Sequence, residues 1–246
     1  MYLTIRAIVL RVTDYNDRDA LLTVLSRNHG KLTIKARGLR RKNSPLVAPC
    51  QLLAFGEFTL FEYKGQYTIN AAHSIELFSP LRRDLTKLSL GTYFAQAAEV
   101  ISQEDLPNPE LQSLLLNCLF ALSRLDESEA KIKAVFELRA ACLAGYMPDL
   151  FGCHICGNQN PDRFDISEGM LECHSCRGVG GGIRMPVTPG VLEAMRYICL
   201  CDPKKLFSFQ LGQETLEQLG ALTEAYLTTQ LERGFSTLDF YKSLLI

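Results

Sequence analysis

The chain has 246 residues, 47% hydrophobic and 22% charged, with a formal net charge of −1, which describes a soluble, well-packed globular protein longer than one modal domain. No uncharged stretch reaches the length of a spanning helix, and the start, Met1 to Arg6, lacks a basic leader before an apolar run, so neither membrane insertion nor export is expected. The near-neutral total hides an asymmetry: residues 1 to 80 hold eleven Lys/Arg against six Asp/Glu, +5, which leaves −6 for the remainder.

From residue 2 to 78 the hydrophobic period is two. A largely apolar strand runs from Thr4 to Arg11, and a second, Leu21 to Ser26, turns at Asn28-His29-Gly30 into a third, Lys31 to Ala36. Leu52 to Tyr63 and Tyr67 to Leu77 pair across Lys64-Gly65-Gln66. Five strands suit a small closed barrel of the OB type, and an SH3-like barrel would give the same count. Phe55, Phe58, Phe61, Tyr63 and Tyr67 lie on the last pair with both parities represented, so at least one ring is expected at the surface, where it would offer bases a stacking platform.

After Pro80 the period becomes helical. Leu85, Leu88, Tyr93, Ala97, Val100 and Ile101 are expected along one helix face. Asn108-Pro109-Glu110 caps a second helix ending near Leu125, and Ser128 begins a third that stops near Gly145 and Pro148. Thr188-Pro189 restarts the helical pattern with Val191, Leu192, Met195 and Ile198 on one side. Two further helices are expected at about Glu214 to Leu231 and Ser236 to Leu245, packing back on the earlier ones.

Between these helical stretches lie Cys153-His-Ile-Cys156 and Cys173-His-Ser-Cys176, separated by sixteen residues. Each C-x-x-C turn aims two thiolates at a common point, and the spacing brings both turns around one tetrahedral zinc ion. With Cys153, Cys156, Cys173 and Cys176 all bound, no position remains for water or substrate, so the zinc is expected to be structural. His154 and His174 read as exposed donors beside the cluster, with ligation by either as the alternative. Gly178, Gly180, Gly181 and Gly182 give a flexible exit from the module. The other cysteines, Cys50, Cys118, Cys142, Cys199 and Cys201, lie in apolar surroundings without framework spacing and read as buried thiols of the reducing cytoplasm.

The expected organisation is α+β: an N-terminal OB-type five-stranded β-barrel (1–80), a helical domain in two parts (81–149 and 187–246), and an inserted four-cysteine zinc module (150–186). The barrel carries the densest charge. Lys31, Lys35, Arg37, Arg40, Arg41 and Lys42 place six cations in twelve residues with no acid between them, and such crowding is relieved by a polyanion or by water. Gly38 and the barrel context favour phosphate contacts by these six, with Arg82 and Arg83 added at the domain junction; a solvated loop is the bland alternative. No phosphate-binding, dinucleotide or nucleophile-elbow motif occurs, and neither His29 nor His73 has a matched partner in sequence, so no enzymatic activity is expected.

The stretches Asp19-Ala-Leu-Leu-Thr-Val-Leu-Ser-Arg-Asn-His-Gly-Lys31 and Lys35-Ala-Arg-Gly-Leu-Arg-Arg-Lys42, the four-cysteine insert among helices, and the tail Glu232-Arg-Gly-Phe-Ser-Thr-Leu-Asp-Phe240 together resemble the RecO family of recombination mediators over nearly the whole chain. The resemblance implies a non-enzymatic protein of DNA repair and homologous recombination, cytoplasmic and nucleoid-associated. It would bind single- and double-stranded DNA, anneal complementary strands, contact the C-terminal tail of the single-stranded DNA-binding protein SSB, and with RecR help RecA load on SSB-coated DNA. The acidic helical half would be left free for proteins. Two other classes share the same features: an OB-fold and zinc-ribbon RNA-binding or transcription-associated protein, and a metal-dependent nucleic-acid enzyme, which the closed four-thiolate site disfavours.

Overall fold

The computed structural model describes residues 1–176 and 182–245, so the glycine exit expected at Gly178, Gly180 and Gly181 lies outside the described residues. The chain divides into two compact units, one of Met1–Leu125 with Phe235–Ile246, the other of Asp126–Gly234.

In the first unit, β1 (Tyr2–Asp14), β2 (Ala20–Ser26), β3 (Gly30–Ala36), β4 (Phe55–Tyr63) and β5 (Gln66–Glu76) close a barrel in the order β1-β2-β3-β5-β4. All neighbours are antiparallel except β3 and β5, an arrangement of the OB type, so the SH3-like alternative is set aside. Ile5, Ala7, Val9, Leu22, Val24, Ile34, Phe58 and Leu60 fill its interior. Ile8, Leu10 and Leu25 point the other way yet are also buried, because α1 (Leu85–Ile101) and α2 (Pro109–Arg124) pack on β1 and β2. Burial on both faces is why the first strand reads as a near-continuous apolar run. Gln112, buried on α2, fastens the helix to the barrel by donating from Nε2 to the Leu25 carbonyl at 2.8 Å.

The fourth strand begins three residues later than its apolar pattern suggests. A bulge at Leu10 interrupts the β1–β2 register, and the chain arriving at β4 bonds there: Leu53 N–H donates to the Val9 carbonyl, and Val9 N–H to that of Ala54, both at 2.9 Å. On α1 the expected face is also displaced. Leu85 is exposed at a groove it lines with Leu88 and with Ser236, Thr237 and Phe240 of α6 (Ser236–Ser243), and the buried residues of α1 include Leu90, Tyr93, Phe94, Ala95, Ala97 and Ala98. Tyr93 meets Phe235 edge to face at 5.4 Å, and Thr237 donates to Gln96 Oε1 at 2.5 Å.

The second unit is built on α3 (Glu129–Leu143), which packs against α4 (Pro189–Leu200) and α5 (Gln213–Gln230). Asn108, Ser128 and Thr188 cap α2, α3 and α4 as their sequence positions indicate. Between α3 and α4 runs a small sheet of β6 (Asp149–Cys153), β7 (Arg163–Asp165), β8 (Met170–Glu172) and β9 (Arg184–Pro186), in the order β6-β8-β7-β9. Among the described residues no helix is long and apolar enough to cross a membrane.

The β2–β3 turn depends on Gly30. Its φ is +64°, and a Cβ there would overlap the backbone of Leu106, which closes over the turn where Lys31 N–H donates to the Gln103 carbonyl and Asp105 N–H to that of Lys31. Gly30→Ala is expected to cost about 2 to 4 kcal/mol in urea denaturation. Gly65→Ala, also at positive φ but facing open space, should cost only about 1 kcal/mol.

Candidate nucleic-acid interface and metal centre

The basic segment divides by position along β3. Lys31 opens the strand at the turn end, donating from Nζ to the Glu99 carbonyl at 3.2 Å, and lies about 13 Å along the strand from Lys35. Lys35, Arg37, Arg40, Arg41 and Lys42 gather at the other end and in the loop that follows. Arg37, Arg41 and Lys42 are exposed, and among the described residues none of the three has an ion pair, whereas Arg40 pairs with Asp14 at 2.8 Å. Arg82 is held at the far end of the loop, donating to the Leu52 carbonyl at 2.7 Å; Arg83 is exposed in the turn after β5.

This loop is anchored. Leu39, in the middle of the cations, is buried against the barrel core together with Cys50 and the partly buried Leu46. Asp19, arriving on the β1–β2 loop, accepts the Gly38 N–H at 2.8 Å and lies 3.6 Å from Lys35 Nζ, while Arg40 N–H donates to the Arg18 carbonyl at 3.1 Å. The Gly38 N–H, then the Asn16 amide and Lys35, hold the Asp19 carboxyl below the usual carboxylate range. Lys35 Nζ also sits 4.2 Å from the centre of the Tyr15 ring, which is 56% exposed. Asp19 and Tyr15 are absent from the sequence candidates. Asn16-Asp17-Arg18-Asp19 carries a turn signal that marks a loop, but nothing in it says which loop Asp19 will bond.

The five barrel aromatics separate. Phe58 is wholly interior and Phe55 and Tyr67 are half-buried, while Phe61 and Tyr63 are exposed, with the equally exposed Tyr2 5.4 Å from Phe61. Ile34 and Lys35 pair with Tyr67 and Thr68, so the hairpin bearing Tyr63 and Lys64 starts beside the strand that feeds the basic loop. Phe61 pairs with Thr68, the partner of Lys35, whereas Tyr63 pairs with Gln66, two positions back toward the turn end of β3. The exposed ring at the basic end is Tyr15, and with the cations it can hold a polyanion by charge and stack a planar group.

In the second unit the Sγ atoms of Cys153, Cys156, Cys173 and Cys176 all lie within 4.8 Å of one another, and Cys156 and Cys173 are 3.9 Å apart. Four thiolates at the zinc–sulfur distance of about 2.3 Å have tetrahedral edges of about 3.8 Å, so the cage fits that ion. Its chemistry fits as well. Burial raises the Cys153 thiol, but N–H groups of Cys156, Ile155 and Cys173 outweigh it and bring it down to about 6. Sharing with Cys156 pushes Cys176 up to about 11, so a full set of thiolates requires a cation at the centre. Asn158 Nδ2 donates to Cys173 Sγ at 3.1 Å. The histidines have other partners at Nδ1: that of His154 faces the Leu171 carbonyl at 3.1 Å, and that of His174 accepts from Arg163 at 2.6 Å, which puts the proton of the exposed His174 on Nε2.

A buried ion-pair group ties the cage to the rest of its unit. Arg184 of β9 meets Glu172 of β8 at 2.7 Å and Asp165 of β7 at 3.5 Å, both carboxylates nearly inaccessible to solvent. Gln230 of α5 donates to the Ile166 carbonyl at 2.8 Å, and Tyr226 stacks edge-on to Phe164.

Comparison with known proteins gives a consistent match. The family models described as Recombination protein O N terminal and Recombination protein O C terminal match residues 1–78 and 82–239. Relatives named DNA repair protein RecO include that of Acetivibrio thermocellus, 34% identical over 99% of this chain and 97% of the relative. That of Alkaliphilus metalliredigens is 28% identical over 99% and 100%, and that of Bacillus subtilis 27% identical over 89% and 86%.

Two outcomes test this geometry. Cys153→Ser combined with Cys176→Ser should abolish stoichiometric metal binding, read by elemental analysis, and lower stability by roughly 3 kcal/mol or more. Asp19 binds its proton less readily folded than unfolded, so its contribution is present above the ordinary carboxylate pKa and fades as pH falls through the lower folded value. Asp19→Asn should therefore flatten the stability profile below about pH 4, measured by denaturation across that range.

Proposed function

The chain belongs to the RecO family of DNA repair proteins, and we propose that it serves as a recombination mediator that holds DNA by its backbone and performs no covalent chemistry. The observation that carries this reading is the anchored loop after β3, whose exposed Arg37, Arg41 and Lys42 have no ion pair among the described residues and which follows Lys35 at the exposed Tyr15 ring. Phosphates neutralised there release counterions, so binding is salt-sensitive and indifferent to sequence. Lys31, Lys35, Arg40, Arg82 and Arg83 complete the basic set; the first four already have protein partners and contribute field more than direct grip.

Holding single- or double-stranded DNA by phosphate leaves the bases of a single strand free to pair, which is what annealing of complementary strands requires. In this reading the protein contacts the SSB tail, works with RecR, and helps RecA load on SSB-coated DNA, within the cytoplasm at the nucleoid. The metal at Cys153, Cys156, Cys173 and Cys176 is zinc. Its four-thiolate shell leaves no position for a substrate, so when bound it supplies rigidity, bracing β6 and β8 against each other.

Replacing Arg37, Arg41 and Lys42 together by Ala should lower affinity for single-stranded DNA and reduce the slope of log affinity against log salt by about 2. An unchanged slope would remove the loop from the interface. Complementary strands coated with SSB should anneal faster with the protein than without it, and RecR should modulate that rate. Preference for RNA in direct competition, with no annealing, would favour the RNA-binding alternative.

A further inference from the structure

A second sulfur site lies in the Asp126–Gly234 unit, outside the metal cage. Cys142 in the last turn of α3 and Cys199 in the last turn of α4 are 57 residues apart in sequence, yet their Sγ atoms are 3.6 Å apart. One side chain fixes this approach. Arg139, one turn before Cys142, donates to the carbonyls of Ile198 at 2.8 Å, Cys199 at 2.5 Å and Cys201 at 3.3 Å. It thereby satisfies carbonyls left open at the end of α4 and holds that end against α3.

One of the two is partly exposed and the other lines a groove. Cys142 is half-buried, and an apolar groove of about 160 Å³, lined by Met147, Leu150, Phe151 and Leu200, opens onto Cys199. The groove admits a small neutral oxidant. Contact with Cys199 and, more weakly, the Arg139 charge lower the Cys142 thiol against its own burial, while the same contact and burial raise Cys199, so Cys142 is the readier nucleophile of the two. Cys50 and Cys118 differ: each is buried, neither has a sulfur–sulfur hydrogen bond among the described residues, and burial pushes Cys50 up to about 12 and Cys118 higher still.

We infer that Cys142 and Cys199 are a peroxide-oxidisable thiol pair whose disulfide staples α3 to α4. In the first step the Cys142 thiolate attacks one oxygen of hydrogen peroxide. The O–O bond breaks, the sulfur is oxidised to a sulfenic acid, and the departing hydroxide takes up the proton that Cys142 released, giving water. In the second step the Cys199 sulfur attacks the sulfenic sulfur. The S–S bond forms, the S–O bond breaks, and the departing hydroxide takes the Cys199 proton as a second water. Two thiols and one peroxide thus become one disulfide and two waters.

The sulfurs must close by about 1.5 Å to reach disulfide length, a movement available to side chains at two helix ends. The loop so closed runs from 142 to 199 and contains all four cysteines of the metal cage, so oxidation tethers that module at both of its exits.

The test is a disulfide map of the full-length, metal-loaded protein after brief exposure to about one equivalent of hydrogen peroxide, with free thiols alkylated during denaturation and peptides analysed without reductant. The expected product is a reducible peptide pair joining Cys142 to Cys199, formed at least about tenfold faster than any oxidation of Cys50 or Cys118. A map in which Cys142 and Cys199 remain unlinked, whether or not the cage cysteines cross-link, overturns the inference. In Cys199→Ser the second step has no attacking sulfur, so Cys142 should retain one added oxygen. Oxidation there at the rate of Cys118 would equally overturn it, and the wild-type map decides the matter if that variant does not fold.

Discussion

Like charges gathered on one loop repel, and they keep a fixed arrangement only where something else holds the backbone. Here that is the contact between Asp19 and the Gly38 N–H. It spans two loops of the barrel, places a carboxylate beside Lys35, and stops short of the three cations that stay free. Leu39 supplies the second anchor by entering the barrel interior from the centre of the basic run. One polar and one apolar attachment thus spare the loop the conformational entropy it would otherwise lose on meeting a polyanion. Repulsion among Arg37, Arg41 and Lys42 has no ion pair among the described residues to relieve it, and on the proposed reading a bound polyanion would do so.

The barrel tolerates this because its stability is generated elsewhere. β1 is buried on both faces, by the interior on one side and by α1 and α2 on the other, and Gln112 and Gly30 lock the helices and the segment around Leu106 to the strands. The rim that carries Tyr15 and the exposed cations contributes little to that packing. A surface relieved of structural work can expose rings and unpaired charge at small cost in folding free energy.

Much of this was legible in the residues. The period-two stretches and the turn at Asn28-His29-Gly30 located the barrel strands, capping residues such as Asn108 and Thr188 located helix starts, and two C-x-x-C turns located the cage. What escaped was what depends on contacts distant in the chain. Leu85 faces α6, which returns from the far end of the sequence to pack on α1 but leaves an open groove beside that residue. The late start of β4 follows from the bulge in β1 taking the bonds of Leu53 and Ala54. The strands β7, β8 and β9 are three residues long, too short to show an alternation, and a buried Arg184–Glu172–Asp165 group helps hold them. Equal charges in the basic run also looked alike, and only partners brought by folding distinguish Lys31 and Arg40 from Arg37 and Lys42.

The cysteines make the same point about context more sharply. Cys50 and Cys118 are small apolar fillers, their thiols held neutral by burial. Cys153 has backbone N–H groups directed at its sulfur and three further sulfurs at cage distance, so its environment favours thiolate and calls for a cation. Cys142 is half-buried and Cys199 buried, and neither has a cage, but each has the other, with an arginine fixing the helix end beside them. One side chain therefore has three chemistries here, filler, ligand and reactive pair. The deciding variables are burial, the number of sulfurs within about 4 Å, and the N–H or guanidinium groups that face them.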